Sequence, residues 1–208
     1  MHAKPRIALY GGTFDPVHIG HLEVAREVSK LFEIEKVLFV PAQVAPHKLG
    51  RKVSAPIHRY AMLALATQYE PKLSISSFEL DAPDRRYTVN TLEHFIKAYA
   101  DKADLFFIMG ADSWSEITTW REWERLLTMI NHIVVTRPGH VIDQTLPAPN
   151  ARVVFTDAVM KDISATNIRR LASEGRFDEV ARLVPAPAAE YIRKYEIYRD
   201  TNERKLNR

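Results

Sequence analysis

Cysteine is absent from the 208-residue chain. That removes disulfides, thiolate nucleophiles and cysteine-ligated zinc together. No stretch reaches the roughly 18 uninterrupted apolar residues that a membrane-crossing helix needs, and Met1 to Arg6 carries no apolar leader. A cytoplasmic protein without a membrane partner is the expectation. Charge of one sign is lacking too: 29 Lys and Arg against 26 Asp and Glu leave a formal +3. Nucleic-acid binding leaves a dense basic stripe, whereas here the basic residues are scattered and gather only in the tail Glu203 to Arg208. A pocket for anionic small molecules beside a solvated tail is expected, with no nucleic acid as partner.

What is present is an ordinary globular composition, 46% hydrophobic and 26% charged, long enough to bury one substantial core. One domain over 1–208 is expected, with a helical portion from about 164 and a polar tail over 200–208. Short runs rich in β-formers alternate with longer segments of helical period. Strands are expected at Arg6 to Tyr10, Lys36 to Val40, Leu73 to Ser76, Leu105 to Met109, His132 to Thr136 and Arg152 to Phe155. Helices are expected at Gly20 to Leu31, Pro56 to Tyr69, Val89 to Ala100, Arg121 to Met129, Ala165 to Glu174 and about Ala188 to Tyr198. Such alternation, joined by right-handed crossovers, predicts an α/β protein with a doubly wound parallel sheet of the Rossmann-like kind. The Pro-rich stretches around Pro41 to Pro56 and Pro138 to Pro149 read as long loops within that pattern. Ligands of such sheets sit outside the carboxyl ends of the strands, among loops and helix N-termini.

That is where the chemically suggestive residues fall. The first strand runs into Gly11-Gly12-Thr13-Phe14-Asp15-Pro16-Val17-His18-Ile19-Gly20-His21-Leu22, followed by a helix. Gly11 and Gly12 allow a tight turn and a close backbone approach to a ligand, and Gly20 removes another side chain. His18 and His21 are three apart at the helix start, so both rings can face one side beside free N–H groups and the positive end of the helix dipole. Each imidazole can donate to a phosphate oxygen. Capping and packing, or metal ligation, are the other readings of an isolated His-x-x-His.

A second cluster lies near the far end, Ile163-Ser164-Ala165-Thr166-Asn167-Ile168-Arg169. Ser164 is a natural N-cap, and hydroxyls plus first-turn amides plus Arg169 make a receptor for phosphate oxygens. Four further segments stand at strand ends or helix starts: Ala45-Pro46-His47-Lys48, Arg86-Tyr87-Thr88-Val89-Asn90-Thr91-Leu92, Ile108-Met109-Gly110-Ala111-Asp112-Ser113-Trp114 and Val134-Val135-Thr136-Arg137-Pro138-Gly139. Lys48 can act as a mobile point charge. Thr88 can cap its helix, Asp112 can accept from ribose hydroxyls or cap a turn, and Trp114 can stack on a flat ring or fill the core. Arg137 ends its strand before a tight turn, where a structural ion pair is as natural a reading as contact with a ligand.

The His18-to-His21 segment resembles the T/HxGH signature of the nucleotidyltransferase superfamily, and Ile163 to Arg169 resembles its ISxTxxR element. With the four further segments, the pattern resembles nicotinate mononucleotide adenylyltransferases of the bacterial type, over residues 6 to 198. Where that family commonly has a second proline, this chain has Ala45.

The resemblance implies transfer of the adenylyl group of ATP to nicotinate mononucleotide, giving deamido-NAD and pyrophosphate in NAD biosynthesis. It implies catalytic roles for His18, His21, Thr13 and Lys48, and ATP binding by Gly11, Gly12, Gly20, Gly110, Asp112, Ser164, Thr166 and Arg169. Thr88, Trp114 and Arg137 would meet the mononucleotide. Mg²⁺ is expected to ride on the ATP phosphates, since no dedicated carboxylate cage is visible; Asp15 is a candidate for its outer shell.

Nicotinamide mononucleotide or phosphopantetheine remains open as acceptor, and a homo-oligomer is compatible with the sequence. A tRNA-related module with the same histidine motif is the reading from another class. It would call for anticodon or tRNA-binding domains and a lysine-rich signature loop, neither visible in these residues.

Overall fold

The computed structural model describes residues 3–43, 53–82, 87–136, 145, 148–157 and 163–199. Six strands form one sheet: β1 (Arg6–Gly12), β2 (Lys36–Pro41), β3 (Leu73–Ile75), β4 (Asp104–Gly110), β5 (Asn131–Val135) and β6 (Val153–Thr156). Their order is β3-β2-β1-β4-β5-β6, and every pairing is parallel. The order reverses direction between β1 and β4, which is the switch point where a doubly wound sheet opens a crevice for ligands.

Side chains alternate between the two faces, as the period of a strand requires. Ala8, Tyr10, Val37, Phe39, Ile108, Ile133 and Val135 belong to one core cluster. Ile7, Leu9, Leu38, Val40, Leu105, Phe107, Met109 and Val134 belong to the other. Both faces are buried, which is why these strands read as nearly continuous apolar runs. The first face is covered by α1 (Ile19–Leu31), α2 (Pro56–Thr67), α6 (Ala165–Ser173), α7 (Phe177–Val180) and α8 (Ala186–Tyr195). The second is covered by α3 (Thr88–Tyr99), α4 (Ala111–Ser115) and α5 (Trp123–Met129).

The expected elements stand where the periodicity put them, with shifts of a few residues at their ends. β1 runs on through Gly11 and Gly12, which pair with Val40 and Pro41. These two glycines are therefore strand residues and not a free turn. A Cβ on Gly11 would lie 2.8 Å from the Phe107 ring, and one on Gly12 would lie 2.8 Å from the Phe14 ring. Their first requirement is packing, one against each face. The α3 cap differs as well: Tyr87 is the N-cap and Thr88 the first helical residue. The short helices α4 and α7 carry no expectation from sequence. No described helix is long and apolar enough to cross a membrane.

Candidate active site

At the switch point the chain leaves β1 through Thr13, Phe14 and Asp15 and enters α1 at its N-cap, His18. Phe14 takes the left-handed conformation at φ 49° and turns its ring inward. There it meets Tyr10, Phe39 and His21 edge to face, with centroids 5.5, 5.2 and 5.0 Å away. Strain at a non-glycine residue of this kind persists only where the surroundings over-determine it. Burial raises the Tyr10 phenol well above its ordinary range, so it serves as a neutral wall.

His18 and His21 lie with rings stacked, centroids 3.6 Å apart and planes 24° from parallel. The His18 backbone N–H donates to His21 Nδ1 at 3.2 Å. That bond fixes a tautomer: a neutral His21 holds its proton on Nε2, leaving that edge as a donor. Gly20 makes the stack possible, because a Cβ there would sit 3.2 Å from His18 Nδ1 and 3.3 Å from Cε1. Its missing side chain accommodates the catalytic candidate itself, before any ligand is considered.

The second cluster arrives at the same corner from 154 residues away. Arg169 donates through Nη1 to the Asp15 carbonyl at 2.7 Å and through Nη2 to Thr166 Oγ1 at 3.0 Å. Ile163 lies 3.9 Å from the position of a Gly20 Cβ. Ser164 is the N-cap of α6 by position, with its carbonyl accepting from Ile168 N–H at 3.1 Å; its exposed hydroxyl makes no capping bond. The Ser164 and Thr166 hydroxyls and the α6 first turn thus stand exposed beside the His18 corner.

Asp15 departs from its expected place in a metal's outer shell. Its side chain is 4% exposed; Oδ1 accepts from the Tyr198 hydroxyl at 2.8 Å and Oδ2 from the Ser54 N–H at 3.0 Å. It fastens the loop after β1 to the segment that leads into α2 and to the residues beyond α8. Sequence reasoning also missed Arg59, which is completely buried. An arginine in a helix ordinarily reads as part of a solvated face, and no signal in the sequence marks this one. Burial lowers its pKa, and the neighbouring Asp15 carboxylate is the chief influence opposing that fall.

On the other side of the crevice, β4 ends at Gly110, the N-cap of α4. Among the described residues a Cβ there would find nothing within 4 Å, so their packing does not require this glycine and leaves space above it. Asp112 is exposed in the first turn of α4. Trp114 is different: it is 4% exposed and packs edge-on against Phe155 at 5.2 Å. A stacking platform needs an open face, and this indole is core.

Trp120, six residues on, is only half-buried. It packs on the same cluster as Tyr87, and the adjacent Arg121 lies 4.9 Å over the Tyr87 ring. Tyr87 and Arg121 therefore border the N-terminus of α3, where Thr88 begins the helix, and Trp120 precedes Arg121 in the chain. Lys48 and Arg137 lie outside the described residues.

A family model described as cytidylyltransferase-like matches residues 9–171. The "Probable nicotinate-nucleotide adenylyltransferase" of Thermoanaerobacter sp. (strain X514) is 39% identical over 212 residues, covering 98% of this chain and 99% of its own length. A protein of the same description from Streptomyces coelicolor is 42% identical over 190 residues, covering 91% and 98%. Among solved structures, the nicotinic acid mononucleotide adenylyltransferase of Plasmodium falciparum, complexed with NaAD, is similar with a TM-score of 0.76. It is 20% identical and covers 93% of this chain and 97% of that one. At that identity the likeness speaks for the fold.

Proposed function

Because this chain belongs to the cytidylyltransferase-like family and is similar over nearly its whole length to nicotinate-nucleotide adenylyltransferases, we propose that it adenylylates nicotinate mononucleotide from ATP, releasing pyrophosphate. The observation that carries the reading is the corner where His18 and His21 stack and Arg169 reaches back to Asp15. It gathers two imidazoles, a guanidinium and the starts of two helices at the switch point, a setting suited to a polyphosphate.

In this reaction the 5′-phosphate of the mononucleotide attacks the α-phosphorus of ATP. An O–P bond forms as the bond to the departing pyrophosphate breaks. The attacking phosphate is already anionic, so no protein nucleophile is required, and catalysis rests on positioning and charge stabilisation. His21 Nε2 and the His18 ring donate to α- and β-phosphate oxygens, and Thr13 orients the reacting phosphate. Lys48, Ser164, Thr166 and Arg169 hold the pyrophosphate, Gly11, Gly12 and Gly20 let the chain pack closely enough to form the corner, and Gly110 with Asp112 receives the adenosine ribose.

The acceptor lies over the N-terminus of α3, its carboxylate at the helix start near Thr88. Arg121 adds positive charge beside that end, which favours the acid over the amide. Trp120 takes the stacking role that burial denies to Trp114, and Arg137 contributes to the mononucleotide site. Among the described residues no group of three or more His, Asp or Glu side chains could hold a metal, and Asp15 is already engaged. Mg²⁺ would therefore be held by the ATP phosphates and water, where its charge offsets theirs.

Pyrophosphate release measured with ATP and Mg²⁺ against nicotinate mononucleotide, nicotinamide mononucleotide and phosphopantetheine tests the reading. Strong preference for nicotinate mononucleotide supports it. Preference for either rival changes the acceptor, and silence with all three removes the proposal.

A further inference from the structure

The Arg59 guanidinium ties together three segments that are far apart in sequence. Nη1 donates to the Thr13 carbonyl at 2.9 Å and also to the Ala42 carbonyl, Nη2 donates to Gln43 O at 2.9 Å, and Nε donates to Ser54 O at 3.1 Å. Ser54 closes the circuit, since its N–H donates to the Asp15 carboxylate. The residues on both sides of Phe14 are thus held from the same direction, Thr13 by its carbonyl and Asp15 by its side chain. Arg59 is completely buried and has no path to substrate of its own.

A trans peptide is planar, with its C=O and N–H pointing opposite ways. Capture of the Thr13 carbonyl by Arg59 therefore turns the Phe14 N–H to the other side of the loop. The left-handed φ of 49° at Phe14 is a conformation that a non-glycine residue keeps only where its surroundings enforce it, so the loop needs such an anchor to hold this orientation.

We propose that Arg59 is a positioning residue for adenylyl transfer, holding the Thr13–Phe14 peptide so that the Phe14 N–H and the Thr13 hydroxyl face the reacting phosphate. This rests on the functional reading above. Lysine cannot replace the guanidinium, because a point ammonium cannot span four carbonyls with the geometry of a planar fork.

The test compares full-length wild type with Arg59→Lys and Arg59→Ala, with the folded fraction fixed by circular dichroism and thermal melting. Per folded molecule, Arg59→Lys is expected to lose about 10²-fold in kcat, the scale of a small misplacement of reacting groups, with KM for ATP little changed. Guanidinium at sub-denaturing concentration should restore part of the kcat of Arg59→Ala. A folded Arg59→Lys with wild-type kcat, or losses that only follow the folded fraction, would overturn the proposal.

Should neither variant fold, ¹⁵N-labelled wild type still decides: the Phe14 amide resonance should shift on adding a non-reactive ATP analogue, and an unmoved resonance overturns the assignment. Wild type that binds the analogue with a Phe14 shift but transfers nothing to nicotinate mononucleotide would refute the acceptor reading and leave the role of Arg59 standing.

Discussion

The corner around His18 and the shelf around Thr88 both lie at the carboxyl ends of the strands, yet they are built differently. In the corner, Asp15 and His18 are buried, the rings are stacked, and Arg59, Arg169, Ser54 and Tyr198 each fasten the loop by a hydrogen bond. On the shelf, Gly110 and Asp112 are exposed, Thr88 and Trp120 are half-buried, and space above Gly110 stays open. The difference suits the role proposed for each. Charge stabilisation at a reacting phosphate depends on donors fixed beforehand; recognition of a nucleoside and a pyridine ring needs surface left uncovered for them.

The two tryptophans sharpen that contrast most. Trp114→Ala should cost about 3–5 kcal/mol of stability, as for a fully packed aromatic, read as a lowered midpoint of chemical unfolding. Trp120→Ala should cost far less stability and raise KM for the mononucleotide about tenfold, the scale of one lost stacking contact. Exchange of those two phenotypes would show that the shelf has been assigned to the wrong ring.

A comparison with the opposite end of the sheet separates stability from activity. His132 begins the buried part of β5, completely enclosed and edge-on to Phe107. Burial pushes its pKa from 6.5 down to about 4, although the carbonyls of Ile130 and Arg152 favour the charged form. Among the described residues neither ring nitrogen has a hydrogen-bond partner of good geometry. The folded-state pKa is depressed, so the stability contributed by neutral His132 is complete above pH 6.5 and lost as pH falls toward 4. The loss amounts to about 3 kcal/mol. Denaturation midpoints measured across that window should fall steeply in wild type and more shallowly in His132→Leu, with kcat at neutral pH unaffected. Parallel pH profiles for the two proteins would contradict this origin.

Two glycines provide the smallest and finest test. Gly20→Ala presses a methyl against the His18 ring at 3.2 Å, and kcat should drop about tenfold from the displaced stack. Gly110→Ala meets no atom of the described residues within 4 Å, so melting should be unchanged and any effect should fall on KM for ATP. If both variants changed kcat alike, the distinction between a preset corner and an open shelf would be lost.

Much of the fold is legible in the amino-acid order, for physical reasons that differ by element. The strands bury both faces and carry unbroken β-branched and aromatic runs, so all six stand within a residue or two of their expected ends. The long helices show a clear apolar period. The helices α4 and α7, of 5 and 4 residues, are too short to show one.

In the site, the residues proposed to act through their own chemistry, such as His18, His21 and Arg169, stand out by type and spacing. What stays hidden is position in three dimensions. Arg59 reads as an ordinary helical arginine, Asp15 as a loop carboxylate, and Trp114 and Trp120 as interchangeable aromatics. Burial and hydrogen bonding across distant segments separate them, and one sequence does not encode those as a local pattern. The reading of Gly11, Gly12 and Gly20 as space for a ligand is incomplete for the same reason, because the Phe107, Phe14 and His18 rings that need the space come from elsewhere in the fold or in the loop.

As proposed, the stacked histidines present preset donors to charge that develops as pyrophosphate leaves. Steady-state kcat and KM for ATP in His21→Ala test this most directly. Loss of one such donor predicts a fall in kcat of about 10²–10³-fold with KM for ATP little changed. An unchanged kcat, with or without a raised KM, would contradict the account.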